Sequence, residues 1–93
     1  MSDSEDPYQI TATPEARRHL NRLPGKIRHA ALALCDEAIA YDPTRIGKPL
    51  SGELEGLWSA RRADYRVIYE IDHEVRQVTI HRVQHRADVY RPR

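Results

Sequence analysis

"LEGLWSARRADYRVIYEID", residues 54–72, decides the fold and poses the functional question. Tyr65, Val67, Tyr69 and Ile71 alternate with Arg66, Ile68 and Glu70, the period of two that sends successive side chains to opposite faces of a strand. A strand that served only a core would not carry Arg61, Arg62 and Arg66 among these apolar residues. Three strands are predicted from here to the C-terminal region, at about 54–61, 64–72 and 75–83. The links at Ala63 and at Asp72-His73-Glu74 are short enough for antiparallel hairpins. In the last strand, simple alternation groups Arg76, Val78, Ile80 and Arg82 on one face, against Gln77, Thr79, His81 and Val83.

Upstream, Tyr8, Ile10 and Ala12 alternate within 8–13, which predicts a half-buried strand. Thr13-Pro14 is a helix start, with a hydroxyl for the N-cap and proline at the first helical position. That helix carries Ala16, Leu20 and Leu23 on one stripe and stops at Pro24-Gly25. A second helix is predicted from Lys26 to Tyr41, ended by Asp42-Pro43. Residues 43–53, rich in Pro and Gly, read as a loop, and residues 1–7 as a disordered acidic tail. The expectation is one α+β domain over residues 8–93, with a helix hairpin on one face of a small, mostly antiparallel sheet.

Ninety-three residues build one core. No apolar run is long enough to span a bilayer, and the opening MSDSEDP is acidic, so a cytoplasmic protein without a membrane partner is expected. The lone Cys35 cannot form an internal disulfide and reads as a small buried residue. The net charge of +1 hides an asymmetry: residues 1–44 hold five Lys/Arg against seven Asp/Glu, and residues 45–93 hold ten against seven. Only Lys26 and Lys48 are lysines, and arginine's planar fork of donors matches phosphate geometry.

If the sheet leaves one face open, Arg61, Arg62, Arg66, His85, Arg86 and Tyr90 gather near one end of it. Such a group suits RNA cleavage by an adjacent 2′-hydroxyl. That step needs a base, an acid and positive charge around the phosphorane. Histidine supplies acid or base, arginine holds phosphate, and tyrosine stacks on an unpaired base. The five histidines show no zinc-like spacing, and no metal or other cofactor is expected. The plainer reading makes Arg61 and Arg62 solvated strand-end charges, pairs Arg66 with Glu70, and leaves Trp58, Tyr65 and Tyr69 in the core.

"RIGKPLSGELEGLWSARRADYRVIYEID" followed by "VTIHRVQHRADVY" resembles the RelE family of toxins from bacterial toxin–antitoxin pairs, and "TPEARRHLNRLPGKIRHA" resembles that family's helix hairpin. The likeness runs over residues 8–90. It implies a fold like that of small microbial ribonucleases, metal-independent cleavage of mRNA in the ribosomal A site, and neutralisation by a RelB-like antitoxin in a heterotetrameric or larger complex. It also implies that Arg66 and Arg86 contact the scissile phosphate, that Tyr90 stacks on a message base, and that His85 takes part in proton transfer. Lys48, Arg61, Arg62 and Arg82 fall to RNA binding. The pattern departs at Leu57 and Ser59, where lysines are usual. Two alternatives share the fold: a ParE-like toxin acting on gyrase, and a non-catalytic protein that only binds an antitoxin.

Overall fold

The computed structural model describes residues 6–85 of the chain, so residues 1–5 of the expected tail, and Arg86 and Tyr90, lie outside it. Strand β1 (Gln9–Ala12) is followed by helices α1 (Pro14–Arg22) and α2 (Gly25–Leu34). Helix α3 (Pro43–Ile46) leads into strand β2 (Lys48–Pro49), and strands β3 (Trp58–Arg62), β4 (Tyr65–Asp72) and β5 (Gln77–His85) complete the sheet. Its order is β1-β5-β4-β3-β2, with β1 parallel to β5 and every other pair antiparallel.

The first helix begins as its sequence dictates. The Thr13 hydroxyl accepts from the Ala16 amide at 3.1 Å, and Pro14 occupies a position whose missing N–H costs nothing. The second helix is not uniform over 26–41. After Leu34 it widens into a π turn, Cys35–Ile39, in which the Ala40 amide donates to the Cys35 carbonyl at 2.9 Å. The extra residue keeps Leu34, Cys35, Ile39 and Ala40 all buried against the sheet. The Tyr8 amide then donates to the Ala40 carbonyl at 2.7 Å, tying the helix end to the start of β1.

The predicted loop at 43–53 holds more structure than its composition suggests. It contains α3, β2 and a single 3-10 turn, Gly52–Leu54, so β3 starts at Trp58 rather than at residue 54. The core lies between the helices and one face of the sheet, where Ala60, Tyr65, Val67, Tyr69, Val78, Ile80 and Val83 meet Ala16, Ala31, Leu34, Cys35 and Ile39. Tyr69 is fully buried, and its hydroxyl donates to the Pro43 carbonyl at 2.6 Å.

The alternation expected for β5 is overturned. Ile68 pairs with Arg82 but Tyr69 pairs with Ile80, so His81 is an extra residue on β5 and forms a bulge. The bulge reverses the phase of the strand. Val83 returns to the buried row with Val78 and Ile80, opposite Val67, and Arg82 goes to the other face, opposite Ile68. Past the end of β1, the Val83 amide donates to His19 Nδ1 of α1 at 3.1 Å, so a side chain satisfies a donor that lacks a strand partner there.

Cys35 is buried, as its sequence context predicts, and burial pushes its thiol from the ordinary 9.0 up to about 12, with Asp36 adding to the rise. Tyr69 is likewise pushed from 10.0 to about 12, first by burial and then by Cys35. Both groups are neutral when protonated, so above these ordinary values the unfolded chain ionises while the folded one does not. Stability therefore holds to about pH 9 and falls above it, by about 1.4 kcal/mol per pH unit for each group whose unfolded form is ionised. Urea titrations between pH 8 and 11 measure this, and Cys35→Ala delays the onset to about pH 10, where Tyr69 takes over. A flat profile for the wild type contradicts the assignment.

Candidate RNA-facing surface of the sheet

Helices cover one face of the sheet, and cross-strand register tells which side chains belong to the other. Directly paired residues share a face. One row of the uncovered face is Arg61, Arg66 and Gln84. The next is Lys48, Ser59, Ile68 and Arg82, and beyond it Glu70 pairs with Thr79. Arg61, Arg66, Arg82 and Lys48 are all exposed, and none forms a salt bridge among the described residues.

This arrangement is unfavourable in isolation. Arg61 and Arg66 stand directly opposite each other on neighbouring strands, where like charges repel. The carboxylates on the same face are occupied. Glu70 Oε1 lies 3.0 Å from His81 Nε2, so Glu70 does not neutralise Arg66 as the plainer reading expects. Asp72 Oδ1 accepts from the amides of Glu74 and Val75 in the β4–β5 turn. Four cations thus surround the buried Ile68 without a salt-bridge partner among the described residues, a surface suited to an extended polyanion.

The expected neighbourhood forms at one sheet end but divides between its faces. Arg61, Arg66 and Gln84 occupy the uncovered face, whereas Arg62, Tyr65 and His85 form the row on the helix side. The cause is the bulge at His81, which fixes the phase of the residues after it. Arg62 remains exposed, and it opposes the upward push that burial gives the Tyr65 phenol. Arg82, expected with Val78 and Ile80, instead joins the cationic face.

Two features escape sequence reasoning. Lys48 was assigned to a loop, yet its pairing with Ser59 brings an ammonium group beside a position where the resemblance leads one to expect lysine. The isolated Lys-Pro dipeptide gave no strand signal, since a two-residue strand has no period. The second feature is the His81–Glu70 contact, which depends on the cross-strand register of β4 and β5. Among the described residues, no group of three or more His, Cys, Asp or Glu is placed to hold a metal ion, and no helix is long and apolar enough to cross a membrane.

Residues 10–90 match the family described as ParE toxin of type II toxin-antitoxin system, parDE. The chain is 47% identical over 85 residues to Toxin RelG of Mycobacterium tuberculosis, a match covering 91% of this chain and 98% of that protein. It is 45% identical over 91 residues to Toxin RelE of the same organism, covering 98% and 93%. The fold is similar to a chain in the crystal structure of the toxin-antitoxin complex RelBE2 from M. tuberculosis, with a TM-score of 0.84 and 45% identity over 86% of this chain and 99% of that one. An archaeal RelE-RelB complex from Pyrococcus horikoshii OT3 contains a chain matching at a TM-score of 0.66 and 27% identity, over 85% and 94%. A family match across most of the chain, two toxins at nearly half identity and a shared sheet-and-hairpin architecture converge: this chain belongs to the RelE/ParE family of toxins from type II toxin–antitoxin systems.

Proposed function

We propose that the protein is a metal-independent endoribonuclease that cuts mRNA in the ribosomal A site, and that a RelB-like antitoxin neutralises it. The observation that carries this reading is the cluster of Arg61, Arg66, Arg82 and Lys48 on the uncovered face, without counter-charges among the described residues. Arg66 and Arg82 sit in adjacent rows, so their side chains can hold one phosphate from two sides and stabilise the charge that builds on the phosphorane. Arg61 and Lys48 bind the flanking backbone, and Arg62 extends the charge around the sheet's end. Arg86 and Tyr90 enter through the family resemblance, as a second phosphate ligand and a stacking partner for a message base. The resemblance also casts His85 as donor to the leaving oxygen, but its place in the helix-side row turns it away from the cationic face, and water fills that part.

The face offers many phosphate contacts and few base-reading groups, so affinity is general and salt-sensitive. The ribosome supplies selectivity by presenting the message in the cytoplasm, and an acidic antitoxin segment silences the protein by covering the same cations. The RelBE2 and P. horikoshii toxin–antitoxin complexes support such a partner; the proposed assembly is heterotetrameric or larger. Expression without the antitoxin gene should arrest growth and leave messages cut within codons, as mapped by primer extension, and co-expression should prevent both. The ParE family match motivates the gyrase reading, which predicts trapped gyrase–DNA complexes and intact messages in the same cells. Arrest with neither lesion would leave the antitoxin-binding relic.

A further inference from the structure

The ribonuclease reading leaves the 2′-hydroxyl without an assigned proton acceptor, because Ser59 and Leu57 cannot serve near neutral pH. We propose that His81 is that acceptor and Glu70 its positioning partner, an assignment that rests on the ribonuclease reading above. His81 follows Thr79 on the uncovered face, the bulge brings Arg82 beside it, and Glu70 reaches it from β4 across the strand pair. The contact of 3.0 Å between Glu70 Oε1 and His81 Nε2 fixes the tautomer: an ionised carboxylate only accepts, so Nε2 carries the hydrogen and Nδ1 keeps its lone pair. The same logic orients the base in hydrolytic triads, where a carboxylate holds one imidazole nitrogen so that the other can take a proton.

Position and access fit the role. The His81 side chain is 34% exposed and that of Glu70 is 57% exposed, so substrate can approach the imidazole while the strands hold its backbone. Adjacent rows on one face lie about 7 Å apart along a strand. A phosphate gripped by Arg82 and Arg66 therefore places the ribose joined to it through O3′, which carries the attacking 2′-hydroxyl, within reach of the imidazole. As O2′ bonds to phosphorus its proton passes to Nδ1. The P–O5′ bond breaks, and the departing 5′ oxygen takes a proton from water. His81 later returns its proton to solvent. The charged groups facing the imidazole from β4 and β5 are Glu70, Arg82 and Arg66.

Single-turnover cleavage of a ribosome-bound message, measured from roughly pH 5.5 to 8.5 around the reference value of about 6.5, tests the assignment. His81→Gln should slow cleavage about 10²- to 10⁴-fold and abolish the rise in rate with pH that a neutral imidazole base produces. Glu70→Gln should slow it less, about 10-fold, and Glu70→Asp, which keeps a carboxylate acceptor for Nε2, should recover part of that loss. Both variants should keep ribosome binding and the wild-type thermal midpoint. Wild-type rate and profile in His81→Gln overturn the proposal while leaving the ribonuclease reading intact. A lower thermal midpoint in Glu70→Gln with an unchanged cleavage rate makes the pair structural and overturns it too. A wild type that leaves the message uncut overturns the ribonuclease reading, and this assignment with it.

Discussion

Arg66→Ala is expected to lower single-turnover cleavage of a ribosome-bound message by about 10²- to 10³-fold, the scale of removing one preorganised donor from a developing oxyanion. Arg66 is exposed, stands opposite Arg61 and lacks a salt bridge among the described residues. Its removal therefore costs the fold little, and relief of the repulsion with Arg61 offsets part of that loss. The thermal midpoint should stay within a few degrees of the wild type. Arg66→Lys should recover only part of the rate, since an ammonium group keeps the charge but not the two-pronged grip on phosphate. Arg62→Ala is the internal comparison, because Arg62 lies in the helix-side row. It should lose far less, and an equal loss in both variants would mean that the division of the sheet end into two faces does not matter to the chemistry.

Gly47→Ala is the substitution with the largest expected effect on stability. A Cβ at this position would lie 2.1 Å from the Tyr69 hydroxyl oxygen, 2.9 Å from its ring carbon and 3.1 Å from the Ser59 carbonyl. Tyr69 has no room to retreat, being fully buried with its hydroxyl bound to the Pro43 carbonyl at 2.6 Å. Overpacking of this kind costs about 3 kcal/mol. For a domain of this size that lowers the melting temperature by roughly 10–20 °C. Tyr69→Phe alone costs about 1–3 kcal/mol because the Pro43 carbonyl loses its donor. In the Tyr69→Phe background Gly47→Ala should cost less than in the wild type, since the nearest clashing atom is gone, and strict additivity would contradict the steric account. Thermal unfolding of the four proteins measures the coupling. Displacing Gly47 would also unseat Lys48 from its place beside Ser59, so activity should fall along with stability.

The parts of the fold set by local chemistry were legible in the residues. Thr13-Pro14 names a cap, Pro24-Gly25 a break, and the alternation of Tyr65 to Ile71 a half-covered strand; each needs only near neighbours. What escaped depends on partners distant in sequence. The bulge at His81 exists because β5 must satisfy β4 with Val78, Ile80 and Val83 all in the core, a demand that no single-strand pattern expresses. Its consequences reach the site, since it separates His85 from Arg66 and brings Arg82 onto the cationic face beside His81. The π turn at Cys35–Ile39 likewise answers to the sheet beneath it, and β2 is too short to have a period. The arginines' identity was readable at once; their grouping by face required the register.

In the proposed reaction the uncovered face cuts a ribosome-held message through the message's own 2′-hydroxyl. The direct measurement incubates purified protein with ribosomes carrying a defined message, in parallel with one whose A-site nucleotides lack the 2′-hydroxyl, and maps the ends. The account predicts a cut within the A-site codon of the first message, leaving a 2′,3′-cyclic phosphate and a 5′-hydroxyl, with the deoxy-substituted message intact. Cleavage of both messages alike, or of neither by a folded protein that still binds the ribosome, would contradict it.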